Sequence, residues 1–303
     1  MISDSKFQVN IFLAEPRGFC SGVIRAINMV EKALTDFGVP IYVLNEIVHN
    51  KHVVDYLTNK GAVFVSELSQ VDVSKPLIFS AHGVGRSVEK TARDMGIECL
   101  DATCPLVKLV HKQVEILDRD EAQIIVIGKK NHPEIIGVVG QVENDKKVHV
   151  IGSVDDAKLL DIDDDAKIGY VTQTTLCIDE VKEIVEYLQL RFLNLVKMKE
   201  SDICYATTHR QNVIKKVAKL ADVVVVIGSK NSSNSNKLRD VALTNGAKQA
   251  VLIDDVSELD WGMIDRVCSV GISAGASAPE KLVEELVEAM KNRYQKINIQ
   301  IVK

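Results

Sequence analysis

The sequence is short of several things, and each shortage excludes a class of function. Lys and Arg number 37 against 42 Asp and Glu, a formal net charge of -5. There is thus no cationic surplus for the counterion release that dominates nucleic-acid binding, and any phosphate site must be local. No stretch approaches the about 20 apolar residues that span a bilayer, so no membrane partner is expected. Residues 1–10 lack both the apolar core of a secretory signal and the arginines of a transit peptide. The six cysteines, at 20, 99, 104, 177, 204 and 268, include no C-x-x-C pair. A chain of 303 residues with 46% hydrophobic content does not depend on disulfide staples. The expected setting is a reducing, cytoplasmic one, with thiols available for metal or catalysis.

What is present is alternation. Short apolar runs at 9–13, 41–44, 63–65, 77–79, 124–127, 168–171, 223–227, 250–253 and 267–270 read as strands. Between them lie helical periodicities, among them 86–95, a helix from Pro105 and one over 179–192. Residues 296–302 alternate like one more strand, and the acidic stretch 161–165 reads as a solvated turn. This pattern predicts an α/β fold of parallel sheets with right-handed crossovers, in which ligands gather at the carboxyl ends of strands.

The chain also repeats itself. His49 lies 29 residues after Cys20, His132 lies 28 after Cys104, and Ser232 lies 28 after Cys204. A looser correspondence places His82, Thr174 and Ser277 at 62, 70 and 73 residues after those cysteines. The expectation is three similar small α/β domains, 1–103, 104–202 and 203–303 with its C-terminal strand, arranged with pseudo-threefold symmetry around a central cavity. Each would offer one cysteine and two polar groups.

Three thiolates in one pocket repel one another unless a cation or cluster neutralises them. Cys20, Cys104 and Cys204 suit zinc with one open position, Cys3His zinc, or an iron-sulfur cluster with one iron open to substrate. Cys99, Cys177 and Cys268 have no equivalents in the other thirds and read as small buried apolar residues. His49, His82, His132, Ser232, Ser233, Asn234 and Ser277 precede helices, where capping is the bland role. If these helix starts converge, their free amides form an anion site suited to a diphosphate or carboxylate. Gly83, Gly85, Gly228, Gly271 and Gly275 are expected to let backbone approach a phosphate. Glu134 reads first as a residue favoured by the helix dipole; in a dry pocket it can relay a proton, with Thr174 orienting it.

Nine motifs in order then resemble the 4-hydroxy-3-methylbut-2-enyl diphosphate reductase (IspH/LytB) family over nearly the whole chain. They are A-E-P-R-G-F-C-S-G-V at 14–23, E-I-V-H-N at 46–50, S-A-H-G-V at 80–84, D-A-T-C-P at 101–105 and N-H-P-E at 131–134. T-Q-T-T-L at 172–176, D-I-C-Y-A-T at 202–207, N-S-S-N-S at 231–235 and G-I-S-A-G-A-S-A-P at 271–279 complete the series. The resemblance implies a three-lobed fold around a 4Fe-4S cluster held by Cys20, Cys104 and Cys204. It implies diphosphate binding by His49, His82, His132, Ser232, Ser233, Asn234 and Ser277, and a catalytic group of Glu134, Thr174 and His132 with Glu134 as proton donor. The implied reaction takes an allylic hydroxyl off the substrate with two electrons and two protons, the last step of the methylerythritol phosphate route to isopentenyl and dimethylallyl diphosphate. The implied electron donor is a ferredoxin or flavodoxin. From the residues alone, a zinc hydrolase or lyase acting on a phosphorylated substrate, or a non-enzymatic iron-sulfur redox sensor, stays open as the alternative.

Overall fold

In a computed structural model, which describes residues 8–143, 147–197 and 202–303, the alternation expected from sequence is present throughout. The reading of residues 1–10 lies mostly outside the described residues.

From the N-terminus come β1 (Gln8–Ala14), α1 (Ser21–Phe37), β2 (Ile41–Leu44), α2 (Lys51–Asn59), β3 (Ala62–Val65), β4 (Leu77–Phe79), α3 (Arg86–Asp94) and β5 (Cys99–Asp101). There follow α4 (Pro105–Arg119), β6 (Gln123–Ile127), α5 (Pro133–Val139), β7 (Val148–Ile151), α6 (Val154–Lys158), β8 (Ile168–Thr172), α7 (Ile178–Arg191) and β9 (Leu195–Lys197). The last part holds α8 (Tyr205–Ala218), β10 (Val223–Ile227), α9 (Ser233–Thr244), β11 (Gln249–Ile253), α10 (Trp261–Ile264), β12 (Ser269–Ala274), α11 (Glu280–Arg293) and β13 (Lys296–Val302).

The strands form three parallel sheets with matching orders, β3-β2-β4-β5, β7-β6-β8-β9 and β11-β10-β12-β1-β13. The fourth strand in each is the one that leads to a cysteine: β5 to Cys104, β9 to Cys204 and β1 to Cys20. Limits at 103/104 and 202/203 follow the chain, whereas β1, first in sequence, pairs with β12 and β13.

The described residues gather into two compact units. One is built from the described residues within 1–21, 49–55 and 205–303, and holds the β1-containing sheet; the other, from those within 22–48 and 56–204, holds the other two sheets.

Each sheet centre is apolar on both faces because helices cover both sides. In β6, Ile125 and Ile127 pack against α7 through Val181, Ile184 and Leu188. Ile124 and Val126 face the opposite way, against Val110, Val114 and Leu117 of α4 and Ile135 of α5. All four are fully buried, each contributing about 1.5–3 kcal/mol of transfer free energy. In β10 the alternation places Val223, Val225 and Ile227 in a core with Leu282 and Leu286 of α11. Among the described residues no helix is long and apolar enough to cross a membrane.

Candidate active site

Within the larger unit, the end of β8 and the start of α5 hold a buried carboxyl group. Glu134 is 2% exposed. Its Oε1 accepts from the Thr174 amide at 2.7 Å and its Oε2 from the Thr174 hydroxyl at 3.0 Å. Burial pushes its pKa up to about 7; the nearby Asp202 charge adds to the rise, and the two Thr174 contacts oppose it. The group is therefore a carboxylic acid that keeps its proton to near neutrality, the property a general acid needs.

His132 caps α5: its Nδ1 accepts from the Glu134 amide at 3.2 Å, so in the neutral imidazole Nε2 carries the hydrogen. Capping and ligand binding are thus not alternatives here. His82 lies edge-on to His132, ring centroids 5.7 Å apart and planes at 86°, with its Nδ1 3.4 Å from the Ser80 hydroxyl. A tight joint brings the two histidines together. A Cβ on Gly85 would stand 2.9 Å from Gly140 Cα, the Arg86 amide donates to the Gly140 carbonyl at 2.9 Å, and Gln141 Nε2 donates to the Val84 carbonyl at 2.9 Å.

In the other unit, Ser232 caps α9 by accepting from the Ser235 amide at 3.3 Å, and Ser233 opens that helix. Asn234 is buried; its Oδ1 accepts from the Ala276 amide at 2.9 Å, and its Nδ2 points to Thr207 Oγ1 at 3.4 Å. The Ser277 hydroxyl donates to the His49 carbonyl at 2.9 Å. Asn50 follows His49 and caps α2, its Oδ1 accepting from the Val53 amide at 3.2 Å. The structure thus gathers His49, Ser277 and the Asn234-bound loop in one unit, and His82, His132, Glu134 and Thr174 in the other.

The three repeat cysteines are in no disulfide, and each directly precedes the first residue of a helix, α1, α4 or α8. Their amides show the repeat plainly. Cys104 donates to the Ala81 carbonyl at 3.0 Å, Cys204 to the Thr174 carbonyl at 2.8 Å, and Cys20 to the Ala276 carbonyl at 3.0 Å. Each cysteine is therefore tied to the loop that carries His82, Thr174 or Ser277. Sequence spacing groups each cysteine with the polar residue that follows it; the backbone joins it instead to the one that precedes it, with Cys20 taking the last. Among the described residues no three His, Cys, Asp or Glu side chains are grouped so as to hold a metal ion.

A family model described as LytB protein matches residues 11–291. The chain belongs to the LytB family. It is 45% identical over 290 residues to the 4-hydroxy-3-methylbut-2-enyl diphosphate reductase of Methylocella silvestris, covering 95% of this chain and 91% of that one. To the enzyme of the same name from Neisseria meningitidis serogroup C it is 48% identical over 281 residues, covering 93% and 87%. Among solved structures, the E-1-hydroxy-2-methyl-but-2-enyl-4-diphosphate reductase of Plasmodium falciparum matches with a TM-score of 0.93 and 36% identity, covering 97% of this chain and 92% of that one.

Two residues near these groups were given no role in the sequence reading. Asp202, two residues before Cys204, accepts from Gln113 Nε2 at 2.9 Å and the Thr172 amide at 3.0 Å. His111, on α4, has an Nε2 that is buried without a hydrogen-bond partner among the described residues, and burial pushes its pKa down to about 4. Its Cε1 would stand 2.7 Å from a Cβ on Gly83. The five glycines also have a packing role. The space beside Gly228 and Gly275 is filled by Ser235 Oγ, 2.2 and 2.0 Å from a Cβ built at each, and that beside Gly271 by Val217. Gly83 lies likewise against His111 and Gly85 against Gly140, so each of the five makes room for a protein neighbour. Of the three remaining cysteines, Cys177 is buried and Cys99 half-buried, but Cys268 is exposed, against expectation.

Proposed function

We propose that this chain is a 4-hydroxy-3-methylbut-2-enyl diphosphate reductase, an iron-sulfur oxidoreductase of isoprenoid biosynthesis. It takes the hydroxyl group off the allylic diphosphate with two electrons and two protons, giving isopentenyl and dimethylallyl diphosphate and water. The observation that carries this reading is the buried Glu134 carboxyl, its proton held to near pH 7 and its orientation fixed at both oxygens by Thr174. A carboxylic acid so placed protonates a departing hydroxyl, and hydroxide becomes water. Thr174 also accepts the Cys204 amide through its carbonyl, so one residue links the acid to a proposed cluster ligand.

Cys20, Cys104 and Cys204 hold a 4Fe-4S cluster in this proposal, and their chemistry suits it. They are cysteines outside any disulfide at helix starts, where the positive end of the helix dipole offsets thiolate charge. When bound, the cluster supplies the electrons and a Lewis-acidic iron for the substrate oxygen. His49, His82, His132, Ser232, Ser233, Asn234 and Ser277 bind the diphosphate. Capping orients His132 so that Nε2 donates, and Asn234, with its oxygen on the Ala276 amide and one Nδ2 hydrogen on Thr207 Oγ1, donates through the second. Ser277 turns its hydroxyl from the His49 carbonyl when it donates to a phosphate.

The three modules 1–103, 104–202 and 203–303 around a shared cavity are part of this proposal, and the matching strand orders support them. So are a reducing, cytoplasmic setting and an electron donor of the ferredoxin or flavodoxin kind. Neither the zinc enzyme nor the redox sensor has an observation in its favour. The test is anaerobic purification followed by iron, sulfide and product analysis. Brown protein that carries iron and acid-labile sulfide and converts the allylic diphosphate under a viologen reductant is expected. Colourless protein with stoichiometric zinc, or brown protein without turnover, would overturn the reading.

A further inference from the structure

Each of the helices that follow Cys20, Cys104 and Cys204 sends one polar side chain to the segment leading into another of these cysteines. On α1, five residues past Cys20, Arg25 donates through Nη1 to the Thr103 carbonyl at 3.0 Å and the Ala102 carbonyl at 3.4 Å, and through Nη2 to the Asp101 carbonyl at 3.5 Å. Those are the three residues before Cys104. On α4, past Cys104, Gln113 donates to Asp202 Oδ1 at 2.9 Å, two residues before Cys204. On α8, six residues past Cys204, the buried Arg210 donates to the Gly18 carbonyl at 2.6 Å, two residues before Cys20.

We propose that Arg25, Gln113 and Arg210 are positioning residues that set the three cysteines for the cluster, each acting on the next cysteine in cyclic order rather than on the one at the head of its own helix. This rests on the reading of Cys20, Cys104 and Cys204 as cluster ligands. Carbonyls just ahead of a ligand are free to swing unless something fixes them, and a loosely held thiol gives up its iron sooner. An arginine fork fixes two or three carbonyls at once, which a lysine point charge does not. The arginines have a second effect. Arg25 makes no ion pair with a carboxylate among the described residues, and its charge lies against the main chain beside Cys104. A positive charge near a cluster stabilises the more negative reduced state, so it raises the reduction potential. Gln113 is neutral and lacks this effect.

The test uses the cluster-loaded full chain and the variants Arg25→Gln, Arg25→Lys, Gln113→Leu, Arg210→Gln and Arg210→Lys. Under anaerobic chelator challenge in iodoacetamide, peptide mass spectrometry reports which cysteine is alkylated first. Relative to wild type, Arg25→Gln should speed alkylation of Cys104, Gln113→Leu that of Cys204 and Arg210→Gln that of Cys20, each by at least about tenfold, the effect of losing one such hydrogen bond. The reduction potential should fall in the two Arg→Gln variants and hold in Gln113→Leu and both Arg→Lys variants. The lysine variants also separate this effect from misfolding, since they keep the charge in a loaded protein. Equal acceleration at all three cysteines, or acceleration at the cysteine heading the mutated helix, would overturn the proposal, as would an unchanged potential in Arg25→Gln. Wild-type protein without iron and sulfide would overturn the functional reading beneath it.

Discussion

Thr174 holds Glu134 at both carboxyl oxygens, its amide 2.7 Å from Oε1 and its hydroxyl 3.0 Å from Oε2. Both contacts favour the ionised form and work against burial, the larger effect, which lifts the pKa to about 7. An acid that must donate its proton is active below its pKa, so the rate should fall as pH rises through about 7. Removing the Thr174 hydroxyl deletes one contact that lowers the pKa. Thr174→Val should therefore move the descending limb of the kcat–pH profile to higher pH, with a reduced plateau from lost orientation. A limb that stays in place or moves to lower pH contradicts the assignment.

Much of this was legible in the sequence. Strands at 41–44, 77–79 and 223–227 stand where the apolar runs put them, because parallel strands buried on both faces leave a dense apolar signal; the strand at 296–302 lies at a sheet edge, largely exposed, and was legible from its alternation. β9 was missed: Leu195–Lys197 is three residues long and ends in a lysine, too little pattern to read. Nor did spacing reveal that β1 pairs with β12 and β13. Strand partners across most of the chain length leave no local trace, and the tie of Cys20 to Ala276 was lost with them. The packing role of Gly228 and Gly275 was not legible either, since both make room for one atom, Ser235 Oγ, which lies in the helix turn just after the first and 40 residues before the second.

Two buried groups give the metal-free protein opposed pH dependences. Glu134 has its folded pKa raised from 4.5 to about 7. Its contribution to stability is thus full below 4.5 and lost as pH rises through 7, by about 3 kcal/mol. His111 has its folded value lowered from 6.5 to about 4, chiefly by burial. The folded state resists protonating it, so stability is full above 6.5 and falls by about 3 kcal/mol as pH drops towards 4. Urea unfolding across pH 4–8 should show His111→Gln gaining stability towards acid and Glu134→Gln losing it, with wild type flatter than either. Parallel profiles for all three proteins contradict this.

The Gly85–Gly140 joint sets the approach of His82 to His132. A Cβ on Gly140 would stand 2.7 Å from Gly85 Cα, backbone that yields little. Gly140→Ala should cost about 1–3 kcal/mol in stability, the usual range for overpacking, and separate the two imidazoles. KM for the diphosphate should rise more than kcat falls, while iron content stays at the wild-type level. An unchanged KM in a destabilised variant would show that the joint serves the fold alone.

The most direct test is single-turnover conversion of the allylic diphosphate by prereduced, anaerobic protein, comparing wild type with Glu134→Gln at equal iron content. Wild type should yield isopentenyl and dimethylallyl diphosphate. Glu134→Gln should bind substrate but convert it about 10²–10⁴-fold more slowly, the contribution of a positioned general acid. No conversion by cluster-bearing wild type, or an equal rate in Glu134→Gln, would contradict the account.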